Sequence, residues 1–403
     1  MGKKIIVMVT DENYILPTKV AVFSLLTSDH SFSFFEVHIL CRKGMNFDSR
    51  EQLKALERIH DNLEIRFHEI EDNILEKART TAHIPIASYY RLYISRIIED
   101  DRCLYIDGDM LIQGDLSRIY DMDLGDCYIA GVRDMGVEAN IDKFSGHSLS
   151  LGIPSMDEYV NAGFLLFNLK KIREDGIDRQ FISAISHGYP YMDQDIINKY
   201  CYGKIKHLPS KYDYFTEYGG DAFDASVLHY TGYFKPWICS RLKINQLWWA
   251  QAKQALGDEE YKLAEKQARE SEKISDWNYV LDKIKEEKEV IIFGFSEIGK
   301  SVADMLIKAG QGNIAAFADN DTQKAGLEYQ GIPVMGAAET CLRFASPFFI
   351  VSSQNGFLPI SRQLKELGIP EKKMIRYIYK DKTYYERLDE KYLAYESEIK
   401  GQE

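Results

Sequence analysis

Short apolar runs, each the length of a buried strand, recur along this chain between longer segments with helical spacing, and they do so in two separate series. The first comprises IIVMV (5–9), FFEVHIL (34–40), LEIRFHEI (63–70), CLYI (103–106), CYIAGV (127–132) and AGFLLFNL (162–169). Between them, stretches such as Pro17–Thr27 and Ser49–His60 place apolar residues at helical spacing. This alternation specifies an α/β domain, since strands apolar on both faces need helices to cover them. The second series is VIIFG (290–294), IAAFA (314–318), IPVM (332–335), FFIVSS (348–353) and MIRYIY (374–379). Residues 246–289, which separate the series, hold no proline and are rich in Ala, Lys, Glu and Gln, a composition that favours helix. At 403 residues the chain exceeds the usual size of one core. The expected organisation is an α/β domain over 1–245, a helical connector over 246–288, a smaller α/β unit over 289–385 and a polar tail over 386–403.

Charge and cysteine usage narrow the function classes. A net charge of −12 argues against general affinity for nucleic acid or anionic lipid, both of which present negative surfaces. Lys372, Lys373, Lys380 and Lys382 are where a local basic patch would lie, and the basic, aromatic stretch Tyr377–Tyr385 is where peripheral contact with a membrane surface or a partner would fall; a solvated face is the plainer reading of it. The six cysteines are scattered without a C-x-x-C pair and read as core residues in a reducing compartment. The N-terminal apolar run is shorter than the roughly 7 to 15 residues of a secretory signal. No stretch approaches the roughly 18 to 20 apolar residues of a membrane span. A cytoplasmic protein is expected.

The chemistry concentrates at CLYIDGDMLIQGDL (103–116), where an apolar strand ends in Asp107-Gly108-Asp109. Residues two apart on extended backbone point to one side, so both carboxylates can face one ligand. Two hard oxygen donors suit Mn²⁺ or Mg²⁺, ions that complete their shell with substrate phosphates. Of the three other D-x-D pairs, at Asp121–Asp123, Asp193–Asp195 and Asp319–Asp321, none both closes an apolar strand and leads into another apolar run, and a turn or helix cap explains most such pairs.

Two further segments bear on this pair. VTDENYILP sets Asp11, Asn13 and Tyr14 just beyond the first strand, where an α/β domain holds a nucleotide; a helix N-cap at Asp11 or Asn13 is the plainer reading. LHYTGYFKPW (228–237) combines His229, a third ligand type acceptable to Mn²⁺, with Gly232, which lets backbone approach a diphosphate, and cationic Lys235. Taken alone, His229 reads as a core histidine.

Together, VTDENY, SYYRLYI (88–94), LYIDGDMLIQGDL, VNAGFLLFNL (160–169), YMDQDIIN (191–198) and LHYTGYFKPW resemble the ordered motif series of family-8 glycosyltransferases. That group includes bacterial lipopolysaccharide galactosyl- and glucosyltransferases and glycogenin. The resemblance spans residues 4–240 and implies a nucleotide-diphospho-sugar transferase domain of the GT-A type with a mixed central sheet. It also implies transfer of a hexose, glucose or galactose, from a UDP-sugar to a saccharide, glycolipid or glycoprotein acceptor, with retention and with Mn²⁺. By position it assigns Asp107, Asp109 and His229 to the metal. Thr10, Asp11, Asn13 and Tyr14 would line the uridine, Gly232 and Lys235 the diphosphate. Arg91 would sit near the phosphates or order the metal carboxylates. Asn161, Asp193 and Gln194 would surround the sugar, with Gln194 nearest the anomeric carbon. Asp134 and Asp195 are carboxylates open to a covalent part.

In the second series, VIIFGFSEIGKSVADML (290–306) reads as strand, turn and helix, with Gly294 and Gly299 at the outer spacing of G-x-G-x-x-G and Ser296 at the middle. Asp319 ends the next strand, near where dinucleotide folds place an acidic residue. The stretch resembles Rossmann-like segments of bacterial sugar-modifying proteins. An NAD-binding oxidoreductase or sugar-nucleotide-modifying enzyme centred there is the alternative; the other reading gives the glycines only a tight turn and close helix packing.

Overall fold

The computed structural model of the chain describes residues 3–28, 34–71, 75, 86–218, 221–232, 235–240, 242–273, 277–352 and 357–377. The polar tail 386–403, Lys380, Lys382 and the Tyr377–Tyr385 stretch beyond Tyr377 lie outside them. The chain divides into two compact units, the first running to Ala264 and the second beginning at Glu265.

The first unit contains β1 (Lys3–Val9), β2 (Phe34–Arg42), β3 (Leu63–Ile70), β4 (Arg102–Ile106), β5 (Met110–Ile112), β6 (Ile129–Arg133), β7 (Val160–Asn168), β8 (Ile205–Leu208), β9 (Tyr214–Phe215) and β10 (Val227–His229). Seven of them form a mixed sheet in the order β3-β2-β1-β4-β7-β6-β8. β1 runs parallel to β2 and β4, whereas β7 runs antiparallel to both β4 and β6. The ends of β1, β4 and β6 and the start of β7 therefore share one edge. Ile5 to Met8 are almost wholly buried, as expected of a strand covered on both faces. The helix Ile15–Ser28 follows β1, and a cluster that includes Tyr89, Tyr90, Tyr105, Leu165 and Phe181 packs on the sheet. The mixed sheet agrees with the expected GT-A class.

β5, β10 and β9 make a second, three-stranded sheet. Strands of two or three residues carry too little alternation to be read from sequence, and none of these was anticipated. β6 begins at Ile129 and not at Cys127, because Cys127 N closes a turn on Leu124 O.

The 246–288 stretch is helical, as Lys243–Ala255, Asp258–Lys273 and Trp277–Ile284. The division between units falls inside the second of these helices. The first helix is no solvated spacer, since Trp248, Trp249 and Ala252 are buried.

The second unit holds β11 (Val290–Phe293), β12 (Ile314–Asp319), β13 (Glu328–Tyr329), β14 (Ile332–Gly336), β15 (Phe348–Val351) and β16 (Met374–Arg376), ordered β13-β14-β12-β11-β15-β16. All pairings are parallel except that of β13 with β14. Counted along the chain, the parallel strands lie in the order third, second, first, fourth, fifth, as in doubly wound α/β sheets.

Candidate active site

At the shared edge, β4 ends and Met110 N donates back to Asp107 O (3.3 Å), closing a tight turn that starts β5. The two aspartates share a side because of this turn, not through the extended backbone anticipated above. Gly108 is required there: a Cβ would lie 2.6 Å from Thr18 Oγ1. Asp107 N bonds Gly163 O of β7 (2.8 Å), which anchors the turn to the main sheet. Antiparallel pairing of β10 with β5 sets His229 opposite Met110, and Tyr230 N bonds Asp109 O (3.0 Å). Asp107, Asp109 and His229 thereby each offer a ligand atom within 4.8 Å of the others. Two carboxylates and an imidazole are a donor set that suits a divalent cation.

A buried layer of charge surrounds these three. Arg91 bonds Asp107 Oδ1 (3.0 Å), Asp193 Oδ2 (3.0 Å) and the Ala162 carbonyl (2.5 Å), and its guanidinium lies 4.5 Å from the Tyr105 ring centre. Arg91 is thus committed to ordering carboxylates. Tyr105 OH also donates to Asp107 Oδ1 (2.5 Å), so that oxygen already has two partners. Lys235 Nζ donates to Asp109 Oδ2 (2.6 Å) and to the Tyr230 carbonyl (2.7 Å). His229 Nε2 lies 3.3 Å from Asp109 Oδ1, and its Nδ1 lies 2.8 Å from Asp213 Oδ1.

Burial works against the charged forms here, and ion pairing works against burial. It pulls the His229 imidazole down, but Asp213 and Asp109 raise it to about 10. Burial pushes Asp213 up to about 6 despite His229. For Asp109, Lys235 and His229 outweigh burial and hold the carboxyl below the usual carboxylate range. Burial raises Asp193 against the pull of Arg91.

Of the expected sugar-side residues, Asn161 and Gln194 meet in one network, whereas Asp193 pairs with Arg91. Gln194 Oε1 accepts from Asn161 Nδ2 (3.1 Å) and Ala162 N (3.0 Å), and its Nε2 donates to Asp134 Oδ2 (3.0 Å). Asp134 Oδ2 also accepts from Asn161 (3.1 Å), while Oδ1 caps the helix Met135–Glu138 through Val137 N (3.0 Å). Gly163 joins this network to the metal ligands, since a Cβ there would meet His229 Cε1 at 2.6 Å and Asn161 Oδ1 at 2.9 Å. Asp195 is fully buried and accepts from Tyr159 OH (2.6 Å), His147 Nε2 (2.8 Å) and Tyr191 N (2.8 Å). Three donors and full burial enclose this carboxylate, which argues against it as a free nucleophile. These bonds span Met192, a non-glycine residue at φ +53°, an uncommon conformation at the start of the helix that carries Asp193 and Gln194.

The residues expected around uridine are less uniform. Tyr14 lies beside Lys235, meets the Trp237 ring edge-on at 5.8 Å, and is pushed up to about 12 by burial. Asn13 is exposed. Asp11 Oδ1 accepts from Asn13 N (2.8 Å) and Tyr14 N (3.1 Å), the capping geometry of the plainer reading. Thr10 is buried with its hydroxyl 2.8 Å from Thr18 Oγ1, the group beneath Gly108, and so supports the aspartate turn from behind. Gly232 sits at φ +71°, and a Cβ would meet Glu217 Oε1 at 1.7 Å. Sequence reasoning missed Asp213, Tyr105 and Gly163; only strand register and packing bring them in.

The remaining D-x-D pairs behave as turns and caps: Asp123 Oδ1 accepts from Gly125 N, Asp319 Oδ1 from Asp321 N, and Asp321 Oδ1 from Gln323 N. In the second unit Ser296 Oγ caps the helix Glu297–Lys308 through Gly299 N. A Cβ on Gly299 would lie 2.0 Å from Gly294 O, so the glycines serve a tight turn. Asp319 Oδ2 is taken by Phe295 N (2.7 Å) and Lys324 (3.1 Å).

Residues 5–239 match the model of the family described as Glycosyl transferase family 8, and residues 286–375 match that described as C2185-like, N-terminal. The chain is 27% identical over 266 residues to glycosyltransferase GlyF of Streptococcus pneumoniae serotype 4, covering 61% of each chain. It spans only about three fifths of that relative. It is 25% identical over 257 residues to the lipopolysaccharide 1,3-galactosyltransferase of Salmonella typhimurium, covering 56% of this chain and 71% of that one. A solved structure of the galactosyltransferase LgtC with donor and acceptor sugar analogues aligns at TM-score 0.55 and 27% identity, over 64% of this chain and 99% of that one.

Proposed function

The chain belongs to glycosyl transferase family 8, and from that premise we propose that it is a retaining glycosyltransferase moving a hexose from a UDP-sugar to a carbohydrate-bearing acceptor. The observation that carries this reading is the convergence of Asp107, Asp109 and His229 beside Lys235 at one sheet edge. Asp107, Asp109 and His229 would hold a divalent cation, with Mn²⁺ the family expectation. When bound, that ion supplies positive charge to a departing diphosphate. Lys235 adds a second positive charge, and departure of UDP is where negative charge develops. Tyr14 and Trp237 offer aromatic surface to a base beside Lys235.

On the sugar side, Asn161 and Gln194 hold each other and Asp134 in place. An oxocarbenium-like sugar needs either a nucleophile opposite UDP or attack from the departing face. The Gln194 amide oxygen is a poor nucleophile and already accepts two hydrogen bonds, and Asp195 is enclosed. Same-face attack, with the leaving phosphate taking the acceptor proton, fits these facts best.

The test is UDP release from a panel of UDP-sugars with Mn²⁺, with and without EDTA. Release from one hexose donor, abolished by EDTA and by Asp109→Asn, is the expected result. Release that persists in Asp109→Asn under EDTA would end the cation assignment, and a chain that neither binds UDP nor releases it would end the donor assignment.

A further inference from the structure

His229 reaches the aspartate turn from a three-residue strand, so little backbone holds it. Its ring is confined by packing. Phe215, its register partner on β9, meets the imidazole edge-on at 5.4 Å. Gly163 lies so close that a Cβ would be 2.6 Å from Cε1. Packing of this kind fixes the ring plane but does not choose which nitrogen carries the proton. A hydrogen bond does.

That hydrogen bond comes from Asp213. The residue immediately precedes β9, is fully buried, and sets Oδ1 2.8 Å from Nδ1. A carboxylate accepts and does not donate, so it keeps a proton on Nδ1 and leaves the Nε2 lone pair to a cation between Asp107 and Asp109. Its other oxygen, Oδ2, is buried with no hydrogen-bond partner among the described residues. A core that gained only stability from this position would do better with an apolar side chain, because an unsatisfied buried oxygen is costly. The His229 contact is what the carboxylate gains in return.

We propose that Asp213 is a positioning residue for the cation site: it fixes the tautomer and direction of His229 without itself touching cation or substrate. This rests on the reading of Asp107, Asp109 and His229 as cation ligands.

Mn²⁺ uptake by the full chain, followed through the electron paramagnetic resonance signal of free Mn²⁺ with no donor sugar present, tests it. Asp213→Ala should weaken Mn²⁺ binding by about 10- to 100-fold, the usual cost of losing such a support. Asp213→Asn, whose amide oxygen accepts the same hydrogen bond, should restore most of it. In a His229→Ala background, Asp213→Ala should cost nothing further. Wild-type affinity in Asp213→Ala, or an Asn variant as weak as the Ala variant, overturns the proposal. Should Asp213→Ala fail to fold, imidazole ¹⁵N shifts of the wild type loaded with diamagnetic Zn²⁺ decide: a proton on Nδ1 supports the proposal and one on Nε2 overturns it. A wild-type chain that takes up no Mn²⁺ defeats the cation reading itself, and the role of Asp213 with it.

Discussion

Single atoms decide whether this edge can work. Gly163 is the sharpest case, since its missing side chain is the space occupied by His229 and Asn161. Met110 Cε, the third neighbour, is a flexible tip and can yield, but the other two are held by hydrogen bonds. Gly163→Ala should therefore displace both a candidate cation ligand and a candidate sugar ligand. Turnover on the preferred donor should fall by about 100-fold, the scale of a 1 Å misplacement in a catalytic constellation. Steady-state kinetics would check this, and wild-type turnover would show that the site has more slack than the contacts imply. Asp107 and Asp109 were legible in the sequence because a strand ended on them. Asp213 was not, as nothing in KYDYF marks its aspartate until β9 is seen beside β10.

Strands bring together groups whose titration differs from anything the sequence suggests. On β2 and β3, His38 Nδ1 lies 2.7 Å from His68 Nε2, and His38 Nε2 lies 2.9 Å from Glu36, which also pairs with Lys3 and Arg66. Both imidazoles are held below their ordinary 6.5, chiefly by burial; Arg66 adds to both, and repulsion from His68 lowers His38 further. The unfolded chain then takes up protons near pH 6.5 that the folded strands refuse, so stability falls as pH drops below that value. His68→Gln removes one titrating ring and the repulsion it exerts. Between pH 7 and pH 5 its melting temperature should fall less than that of the wild type. Thermal denaturation at the two pH values is the check, and an equal fall would locate the acid sensitivity elsewhere.

Over the whole molecule, ligand binding and stability are linked. Every candidate ligand residue, from Thr10 to Lys235, belongs to the first unit. Mn²⁺ with UDP at about 100 times the dissociation constant should stabilise the folded chain by about 2.7 kcal/mol. Calorimetry should show a higher-melting transition that Asp109→Asn does not reproduce; an unchanged thermogram would mean that neither ligand binds the folded state. No helix among the described residues is long and apolar enough to cross a membrane.

The sequence by itself determined the α/β character of both units, because strand-length apolar runs between helical segments have few other ways to bury themselves. It also determined where the aspartate pair lies, which a strand end exposed, and the ordered motifs that mark the family; the turn that brings both carboxylates to one side came from the structure. Tertiary structure alone decided which distant groups meet. Register between β5 and β10 put His229 beside Asp109, β9 put Asp213 behind it, and Arg91 joined Asp107 to Asp193. Periodicity records how a segment buries its own side chains, whereas these meetings depend on the partner a short strand finds across the fold.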